Sequence, residues 1–560
     1  MKFYRGVAVL LSVMVPLIEG TGFAEHRDQA SNFNPGIQPV TAESQRAEEA
    51  AEDAWFAHVK VLAGDDLKGR KTGTPEFLLA ADYVENQFKA IGLKPAGVNG
   101  YRQPVGFRSA QVDGDHSSVE LVRDDHTIAS LKVGSEVTLT PNKEGAVAVS
   151  APAVFAGHGL VVPGVGVDEL KGLDLHGKVA VIFAGAPAAV HGPLKAYFRS
   201  TAIRWQALKA AGAVGIVTIA EPRPSQGDPI RGQGGGQNSG ARPVEQLSDP
   251  ALNPLEGAQI SATVPAASAA GWFTGASHSY DELAALAKDG KPLPGFSLGL
   301  SIRATTTTKV LSEYQAPNVV ALVPGSDPRL KKEYVTLTAH LDHLGIGREV
   351  NGDSIYNGAM DNAVGIASLI ETAKALANGT PPRRSILFIA FTGEEEGELG
   401  SQFYARYPTV ARDRIVAELN MDMYLPLFPL RFLEVQGLGE STLGNDARAA
   451  AQLNDIEVQF DKQPDENRFI RSDQASFVKY GIPALAFKFG WLPDSPEQKT
   501  FNDWIREKYH HPSDDLNQHI DREAAIHFDR VLLTLTRRVA DAPGRPSWYP
   551  ESFFSTIPRR

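Results

Sequence analysis

The chain has 560 residues, carries a formal net charge of -11 at neutral pH and contains no cysteine. Its length exceeds what one hydrophobic core usually serves, so at least two domains are expected. The acidic balance argues against nucleic-acid binding, which normally requires a basic face. Without cysteine there are no disulfides, thiol nucleophiles or thiolate ligands, and any metal binding falls to His, Asp and Glu.

The first residues have the pattern of a secretory signal peptide. Lys2 and Arg5 form a short basic region, residues 6–18 are apolar but too few to span a bilayer, and residues 22–24 offer small side chains for cleavage. We therefore expect residues 1–24 to be removed from an exported protein of the periplasm or extracellular space. No stable membrane insertion is expected after cleavage, and an uncleaved anchor is the alternative.

A linker and then a helix are predicted next. Residues 25–50 are polar and lack a clear period, which is typical of a linker. Thr74 and Pro75 are typical of a helix start, and apolar residues keep helical spacing from there to Gly92. The basic residues of the preceding loop, 69–73, are interpreted as parts of a solvated turn, with a substrate-facing loop as the alternative.

The composition changes near residue 110. Residues 119–300 are rich in Ala, Gly and Val and contain short strand-like segments, which indicates a small separate domain that is α/β or β-rich. The Gly-rich segment 233–240 does not lie between a strand and a helix, so nucleotide binding is disfavoured. The histidines of this region have scattered spacings and are interpreted as surface or core residues: His158, His176, His191 and His278.

From residue 306 onward, long apolar segments rich in β-branched residues alternate with segments of helical period. Strands are predicted over 318–323, 334–339, 385–391, 415–421 and 483–487. Helices are predicted over 362–377 and 521–540. This alternation favours an α/β fold with a mainly parallel mixed sheet flanked by helices.

Ionisable residues gather around the ends of these predicted elements. They follow an apolar strand, precede a helix or lie in a Pro-marked loop: His340, Asp361, Glu394, Glu395, Asp422 and His510. Ligands of open α/β sheets bind at the carboxyl ends of the strands. Two imidazoles and three carboxylates can hold two hydrolytic metal ions that share one carboxylate. Zinc suits such ligands, with cobalt or manganese as substitutes, and unrelated loop side chains are the alternative.

Five motifs in this region resemble those of the dizinc exopeptidase family, the zinc aminopeptidases that include bacterial leucyl aminopeptidase, aminopeptidase S and aminopeptidase Y. They occur in family order at residues 340–345, 357–363, 393–401, 420–423 and 509–514. The resemblance implies the zinc exopeptidase fold, which is phosphorylase/hydrolase-like. Residues 64–110 resemble the first part of the same domain. The region between them resembles the β-rich protease-associated domain that larger members carry as an insertion.

The resemblance implies a centre of two Zn²⁺ ions. Asp361 would bridge the two ions, and His340 and Asp422 would complete the first site. Glu395 and His510 would complete the second. Each of these positions keeps the residue type that the family motif has, so the implied ligand set is complete.

The resemblance also implies two catalytic roles. Glu394 would be the general base that takes a proton from the attacking water and passes it to the leaving amine. The Asp342 carboxylate would hydrogen-bond to the His340 ring on the side away from the metal and fix its orientation. Residues 394–396 are consecutive glutamates, so the family pattern, not the spacing, decides which one binds metal. His343 is expected to support the ligands rather than to bind.

An aminopeptidase that hydrolyses N-terminal residues from peptide substrates is the first functional hypothesis. A carboxypeptidase or dipeptidase of the same family is the alternative, with Arg468 and Arg471 as candidates to capture a free carboxylate. A glutaminyl cyclase or a non-enzymatic binding protein is disfavoured because the ligand set is complete. The sequence indicates neither the preferred side chain nor the oligomeric state.

The pattern and the resemblance together predict a peptidase domain interrupted by an insertion. The predicted parts are a signal peptide (1–24), a linker (25–50), the first part of the peptidase domain (51–112), the inserted protease-associated domain (113–305), the catalytic part (306–545) and a C-terminal tail (546–560). The tail is rich in Pro and aromatic residues, and the sequence assigns it no role.

Overall fold

The computed structural model describes residues 42–190, 192–221, 243–466 and 468–559. Residues from Glu48 onward belong to one compact unit. The predicted signal peptide and most of the predicted linker lie outside the described residues. The described end of that linker is helical, since the first helix begins at Ala42. No helix among the described residues is long and apolar enough to cross a membrane.

Eleven α-helices lie in the described part of the chain. They are α1 (Ala42–Leu62), α2 (Pro75–Ile91), α3 (Gly192–Arg199), α4 (Thr201–Ala210), α5 (Tyr280–Lys288), α6 (Val364–Asn378), α7 (Leu399–Arg406), α8 (Leu443–Gln452), α9 (Gln474–Val478), α10 (Pro496–Glu507) and α11 (Arg522–Asp541). The ends of α2 follow the predicted signals: the Thr74 hydroxyl accepts the Phe77 N–H, and Gly92 ends the helix in the left-handed region. The predictions of α2, α6 and α11 are confirmed.

Twenty-one strands lie in the same described ranges. They are β1 (Lys94–Pro95), β2 (Arg102–Val112), β3 (Ser118–Arg123), β4 (His126–Leu131), β5 (Thr138–Leu139), β6 (Gly145–Ala156), β7 (Val161–Val162), β8 (Val167–Asp168), β9 (Val179–Phe183), β10 (Gly215–Ile219), β11 (Val244–Leu247), β12 (Ile260–Val264), β13 (Gly295–Val323), β14 (Tyr334–His340), β15 (Gly345–Val350), β16 (Asp353–Tyr356), β17 (Ser385–Phe391), β18 (Ile415–Asn420), β19 (Phe432–Gln436), β20 (Glu457–Gln459) and β21 (Ala484–Phe489). The five strands predicted after residue 306 are confirmed as the end of β13, β14, β17, β18 and β21.

The catalytic part of the chain is organised around one mixed sheet. Its strand order is β1-β13-β17-β14-β18-β21-β19-β20. The four central strands β17, β14, β18 and β21 are parallel, whereas β13 and β19 run antiparallel on either side. Every residue of β17 and β18 is buried, as expected for parallel strands covered on both faces. The prediction of a mainly parallel mixed sheet is confirmed.

Residues 113–305 build a second set of strands. β6, β9, β10 and β12 are parallel neighbours, and β3, β4 and β5 add antiparallel strands at the edges. Alternate residues of β9 belong to two hydrophobic clusters, one on each face of these strands. Both clusters are distinct from the large core of the catalytic part. A core of its own is what an inserted domain needs, and its identity as a protease-associated domain stays a prediction.

The two sets of strands share β13, which has 29 residues. Its first part pairs with β3 and β6, and its last part pairs with β1 and β17. The predicted boundary at residue 305 therefore falls inside a continuous strand. The physical reason is visible in the sequence, because the run Thr305–Thr308 is β-branched and favours extended backbone.

The predicted C-terminal tail packs against both sets. Trp548 Nε1 donates to the Gly481 carbonyl at 3.0 Å. Phe554 is buried, and its ring centroid lies 5.6 Å from that of Phe469 in the catalytic part. Phe553 lies 5.3 Å from Phe198 of α3. The tail therefore joins the catalytic part to the region of residues 113–305.

Candidate metal centre

Three parallel strands place ionisable side chains at one edge of the large sheet. β14 ends at His340, Glu394 and Glu395 follow β17 within a tight turn, and Asp422 lies two residues after β18. Neighbouring parallel strands end at the same edge, so residues far apart in the sequence meet there. The sequence places apolar residues in the strands and polar residues immediately after them, and this switch positions the cluster.

Asp361 and His510 reach the cluster from two loops. Asp361 lies in the turn Ala359–Ala363 that leads into α6, and His510 lies between α10 and α11. The N–H groups of Met360 and Asp361 donate to the two carboxylate oxygens of Asp514 at 2.9 and 3.0 Å. Since Asp514 belongs to the same loop as His510, one buried carboxylate fixes the two loops against each other.

Asp361 faces two imidazoles with its two carboxylate oxygens. His340 Nε2 lies 3.2 Å from Oδ1, and His510 Nε2 lies 3.3 Å from Oδ2. His340 Nε2 also lies 3.2 Å from Asp422 Oδ1, and His510 Nε2 lies 3.2 Å from Glu395 Oε2. The structure thus brings all five predicted ligands together as two groups that share Asp361.

His343 also reaches this cluster. Its Nδ1 lies 2.6 Å from Glu395 Oε1 and 3.9 Å from Asp361 Oδ2. Its Nε2 is buried and has no hydrogen-bond partner among the described residues. Three groups in the described part of the chain have donor atoms close enough to hold a metal ion: His340 with Asp361 and Asp422, His343 with Asp361 and Glu395, and His340 with Glu394 and Glu395.

Burial and opposite charges both act on the pKa values in the cluster. Burial raises the pKa of Asp361, but hydrogen bonds from His340 and His510 outweigh it and hold this pKa well below its usual range. Burial lowers the pKa of His510, but the charges of Glu395 and Asp361 raise it to about 10. The cluster therefore favours positive charge between its carboxylates, whether protons on the imidazoles or cations.

The three consecutive glutamates have three different environments. Glu395 contacts His510 and His343, whereas the Glu396 carboxylate forms an ion pair with Lys71. Glu394 lines an open cleft beside the cluster. Burial raises the pKa of Glu394 well above its usual range. A raised pKa makes this carboxylate a stronger base than an ordinary glutamate.

Asp342 is placed differently from the prediction. Its carboxylate accepts the backbone N–H groups of Glu394 and Glu395, at 3.1 and 3.3 Å. The Nδ1 of His340 instead hydrogen-bonds the main-chain carbonyl of Asp342, at 3.1 Å. The two-residue spacing brings the carbonyl, rather than the carboxylate, within reach of the ring. Asp342 therefore orients His340 through its backbone, and its side chain holds the glutamate turn.

Arg70 has a role that the sequence did not reveal. The loop 69–73 was interpreted as a solvated turn, but the Arg70 side chain is fully buried. Its guanidinium donates to the carbonyls of Leu341, Asn357 and Gly358, which belong to the loops that carry His340 and Asp361. Burial lowers the pKa of Arg70 to about 10, so the side chain stays charged. The one signal in the sequence is Gly69, which allows the backbone of residues 345 and 356 to approach the loop closely.

The cleft that Glu394 lines has a cavity volume of about 90 Å³. Asp361, Asp422 and His510 line it together with Glu394. Residues from β19, β21 and the segment after β20 line it as well, namely Gln436, Arg468, Arg471, Ser472, Ala486 and Lys488. The cluster therefore borders a small cleft that also contains basic side chains.

Residues 318–536 match the family model for peptidase family M28. This segment contains the whole cluster. Among curated relatives, the chain is 33% identical over 120 residues to a vacuolar membrane protease of Candida tropicalis, covering 21% of this chain and 12% of that protein. It is 26% identical over 191 residues to a probable leucine aminopeptidase of Trichophyton verrucosum, covering 33% and 50%. It is 29% identical over 255 residues to the probable lipoprotein aminopeptidase LpqL of Mycobacterium tuberculosis, covering 42% and 47%.

The chain thus spans half or less of the length of these three relatives. Among solved structures, an aminopeptidase from Aneurinibacillus sp. strain AM-1 is 20% identical with a TM-score of 0.46, covering 91% of this chain and 97% of that one. A zinc aminopeptidase from Bacillus subtilis is 18% identical with a TM-score of 0.42, covering 88% and 95%. From the family match over residues 318–536, we conclude that this chain contains a domain of peptidase family M28.

Proposed function

We propose that the chain is a zinc-dependent exopeptidase that removes N-terminal residues from peptides. The observation that carries this proposal is the geometry of Asp361, whose two carboxylate oxygens face the imidazoles of His340 and His510. Each imidazole has a further carboxylate beside it, Asp422 for His340 and Glu395 for His510. Two metal sites that share one bridging carboxylate need this arrangement.

The donor types suit two zinc ions, and the group His340, Asp361 and Asp422 also has its donor atoms close enough together to hold one. His340, Asp361 and Asp422 would hold the first ion, and Asp361, Glu395 and His510 the second. Imidazole nitrogen with carboxylate oxygen suits Zn²⁺, and cobalt or manganese are acceptable substitutes. When bound, such a pair of ions polarises the scissile carbonyl and neutralises the charge that develops on it. His343 Nδ1 lies 2.6 Å from Glu395 Oε1 and would fix the orientation of that carboxylate.

Glu394 is the proposed general base. It lines the cleft, its carboxylate is free of the imidazoles that Glu395 contacts, and burial raises its pKa. It would take a proton from the water that attacks the peptide carbonyl. After the C–N bond breaks, it would pass that proton to the leaving amine nitrogen, so one water is consumed for each bond hydrolysed. Asp342 keeps Glu394 in place because its carboxylate accepts the Glu394 N–H.

An aminopeptidase is favoured by the relatives, several of which are named as aminopeptidases. A carboxypeptidase or dipeptidase is the second candidate, because Arg468 and Arg471 line the same cleft as Glu394. We further propose that the protein is exported, from the signal-peptide pattern of residues 1–24, and that residues 113–305 are a protease-associated domain.

The proposal is tested by metal analysis and by one conservative substitution. The purified protein should contain about two zinc equivalents, lose hydrolysis of aminoacyl arylamides in chelator and regain it when zinc is added. Glu394→Gln should keep its zinc, while kcat falls by about 10²- to 10⁴-fold because only the base is removed. A peptide digest with free and blocked ends should show cleavage of free N-termini alone.

Glu396→Gln is the matched control, because it makes the same chemical change in the adjacent residue, which pairs with Lys71. We expect kcat of this variant to stay within a few-fold of the parent. Full activity of Glu394→Gln, or loss of zinc from it, would assign the base to another residue. Cleavage of peptides with blocked N-termini would favour the carboxypeptidase.

A further inference from the structure

Three basic residues line the same cleft as the acidic cluster and are called its basic wall: Arg468, Arg471 and Lys488. Lys488 lies on β21, where alternation of side chains places it on the same face as Ala486. Arg468 and Arg471 lie in the segment that follows β20. A cleft that is lined by both carboxylates and cations is suited to a ligand that carries both charges.

Lys488 is a buried cation without an ion-pair partner in the described part of the chain. Its side chain is 7% exposed, and its Nζ donates to the carbonyl of Met423 at 3.0 Å. An ammonium group has three donors, so capacity remains for an anion. Glu434 lies directly opposite Lys488 across the strands, but it accepts the Lys462 N–H instead. Burial raises the pKa of Glu434, and the charges of Arg468 and Lys488 act against this rise.

Arg468 is the second cation of this wall. Its Nη2 donates to the neutral amide oxygen of Gln463 at 2.8 Å, and its guanidinium lies 5.9 Å from the ring centroid of Phe501. No carboxylate forms an ion pair with it among the described residues, although its charge lowers the pKa of Glu434. Arg471 differs, because it lies 3.6 Å from Glu466 and is exposed. Lys488 and Arg468 therefore line one cleft without a direct ion pair in the described part of the chain.

The two cations repel each other. Burial lowers the pKa of Lys488 to about 8, and the charge of Arg468 acts in the same direction. At neutral pH the ammonium therefore remains mostly protonated. Burying a charge without a partner is unfavourable, and an anion that enters the cleft would relieve both the burial and the repulsion.

The acidic cluster attracts Lys488 in this structure, because the charges of Asp422 and Asp361 raise the pKa of its ammonium group against the effect of burial. The four carboxylates of the cluster are Asp361, Glu394, Glu395 and Asp422, and two divalent ions would balance their charge. The charges of Lys488 and Arg468 then remain available for a ligand in the cleft.

We propose that Lys488 and Arg468 bind a carboxylate group of the substrate. This inference rests on the proposed peptidase function and names its substrate class, which is peptides with an acidic group next to the scissile bond. The carboxylate has two sources, the side chain of an N-terminal Glu or Asp and the free C-terminus of a short peptide. A site built for a charged group rejects the neutral isostere strongly, because its own charges are then left unpaired.

Two pairs of substrates test the proposal with the zinc-loaded full chain. The first pair is glutamyl and glutaminyl arylamide, which differ in the side-chain carboxylate alone. The second pair is Leu-Gly and Leu-Gly-amide, which differ in the C-terminal carboxylate. We expect kcat/KM to favour the acidic member about tenfold or more in one of the two pairs. The pair that shows the preference identifies the source of the carboxylate.

Substitutions then assign the preference to residues. Lys488→Met and Arg468→Gln should each lower the acidic-to-neutral ratio about tenfold. Arg468→Glu lies in a partly exposed loop, so folding should be retained, and it should turn the preference toward lysyl arylamide. Lys499→Met is the matched control, because Lys499 is exposed on α10 and pairs with Asp503. It should keep the ratio of the parent.

The outcomes separate the two proposals. Hydrolysis of neutral arylamides with ratios near one in both pairs would overturn the carboxylate site and leave the peptidase function standing. No hydrolysis of any arylamide or peptide by the zinc-loaded protein would overturn the function itself. A ratio that survives both Lys488→Met and Arg468→Gln would assign the preference to other residues and also overturn the proposal.

Discussion

The two sets of parallel strands in this chain carry different residues after their carboxyl ends. In the catalytic part, β14, β17 and β18 are followed by His340, the glutamate turn and Asp422. In the region of residues 113–305, His158 lies two residues after β6 and Glu221 two residues after β10, and both line a pocket with Ala184 and Ala220. Among the described residues, these side chains do not form a group of three or more ionisable side chains close enough to hold a metal ion. The same strand arrangement therefore provides a place for a site, and the residues after each strand decide whether a site is built.

The buried charges of the two regions differ in the same way. In the region of residues 113–305, the buried His158 pairs with Glu169 at 2.9 Å. In the catalytic part, charge is buried in a cluster that faces a cleft, and Arg70 holds its loops through backbone carbonyls. The pair of His158 and Glu169, which are 11 residues apart in the sequence, stabilises the local fold. Charge that converges from distant strands and loops is available for chemistry.

The largest effect should come from Arg70→Met, which removes the guanidinium that joins the loops of the cluster. Several buried carbonyls would lose their donor, so we expect the unfolding free energy to fall by about 3 kcal/mol or more. Zinc affinity should fall about 10- to 100-fold, as for other residues that support metal ligands. Calorimetric melting and a competition titration against a chromophoric chelator measure the two effects.

Arg348→Met is the matched control, because Arg348 is exposed on β15, and it should change neither quantity. Arg70→Lys covers the case in which Arg70→Met does not fold. It keeps the charge but reaches fewer carbonyls, so it should still weaken zinc binding. Parent-like zinc affinity in Arg70→Lys would remove Arg70 from the assembly of the cluster and weaken the contrast between the two regions.

An intermediate effect is expected from Asp529→Asn in α11. Both carboxyl oxygens of Asp529 are buried without a hydrogen-bond partner among the described residues, and burial raises its pKa to about 8. In the unfolded chain an aspartate ionises near pH 4, so the parent should lose stability as pH rises from about 4 to about 8, by about 1.4 kcal/mol per pH unit at most. The amide cannot ionise, so the variant should melt higher than the parent at pH 8.

Melting curves at pH 5, 6.5 and 8 check this sign, because the gain of Asp529→Asn should grow with pH. Asp503→Asn is the control of opposite sign. Lys499 and Arg506 hydrogen-bond the exposed Asp503 and lower its pKa, so its substitution should bring no gain at pH 8. An Asp529→Asn variant whose melting difference from the parent is the same at all three pH values would show that Asp529 ionises normally.

The smallest effect on activity should come from Glu169→Gln in the region of residues 113–305. Glu169 accepts the backbone N–H groups of His158 and Leu160, both at 3.0 Å, and pairs with the His158 ring. Glutamine has one acceptor oxygen instead of two, so the variant should lose about 1–3 kcal/mol of stability. Its kcat and KM for arylamides should match the parent.

Glu256→Gln makes the same change at an exposed position, where the side chain lies 3.5 Å from Lys209, and should leave both melting and kinetics unchanged. A fall in kcat of Glu169→Gln by more than about threefold, with Glu256→Gln unaffected, would show that this region takes part in catalysis. The separation between the two sets of strands would then be incomplete.

Much of the fold and of the candidate site was predictable from the sequence. The parallel strands were visible because fully buried strands are continuous apolar segments. Four of the five predicted ligands were noticeable because they follow a strand or stand at the head of a helix, and the fifth, His510, because it lies in a Pro-marked loop. The rule that ligands bind where parallel strands end predicted that they would gather, and the resemblance to the dizinc exopeptidases implied that they would share Asp361.

The rest depended on contacts between residues far apart in the chain. The loop of Arg70 is basic and flanked by Gly, a composition shared by many solvated turns. Only its tertiary contacts place that guanidinium between carbonyls some 270 to 290 residues away. Arg468 and Arg471 were candidates for carboxylate binding from the sequence, but Lys488 was hidden because it lies within an apolar strand. Its proximity to Arg468 depends on how β19, β20 and β21 pack together.

The sequence by itself determined which residue types stand at the strand ends, and with them the chemistry that the cluster can support. Tertiary structure decided which contacts, and therefore which role, each of those residues has. Glu395 meets the imidazoles and Glu394 faces the cleft, while the Asp342 carboxylate holds their turn rather than the ring of His340. The physical reason is that residue type follows from local sequence, whereas distance and direction between side chains arise only when separate segments pack.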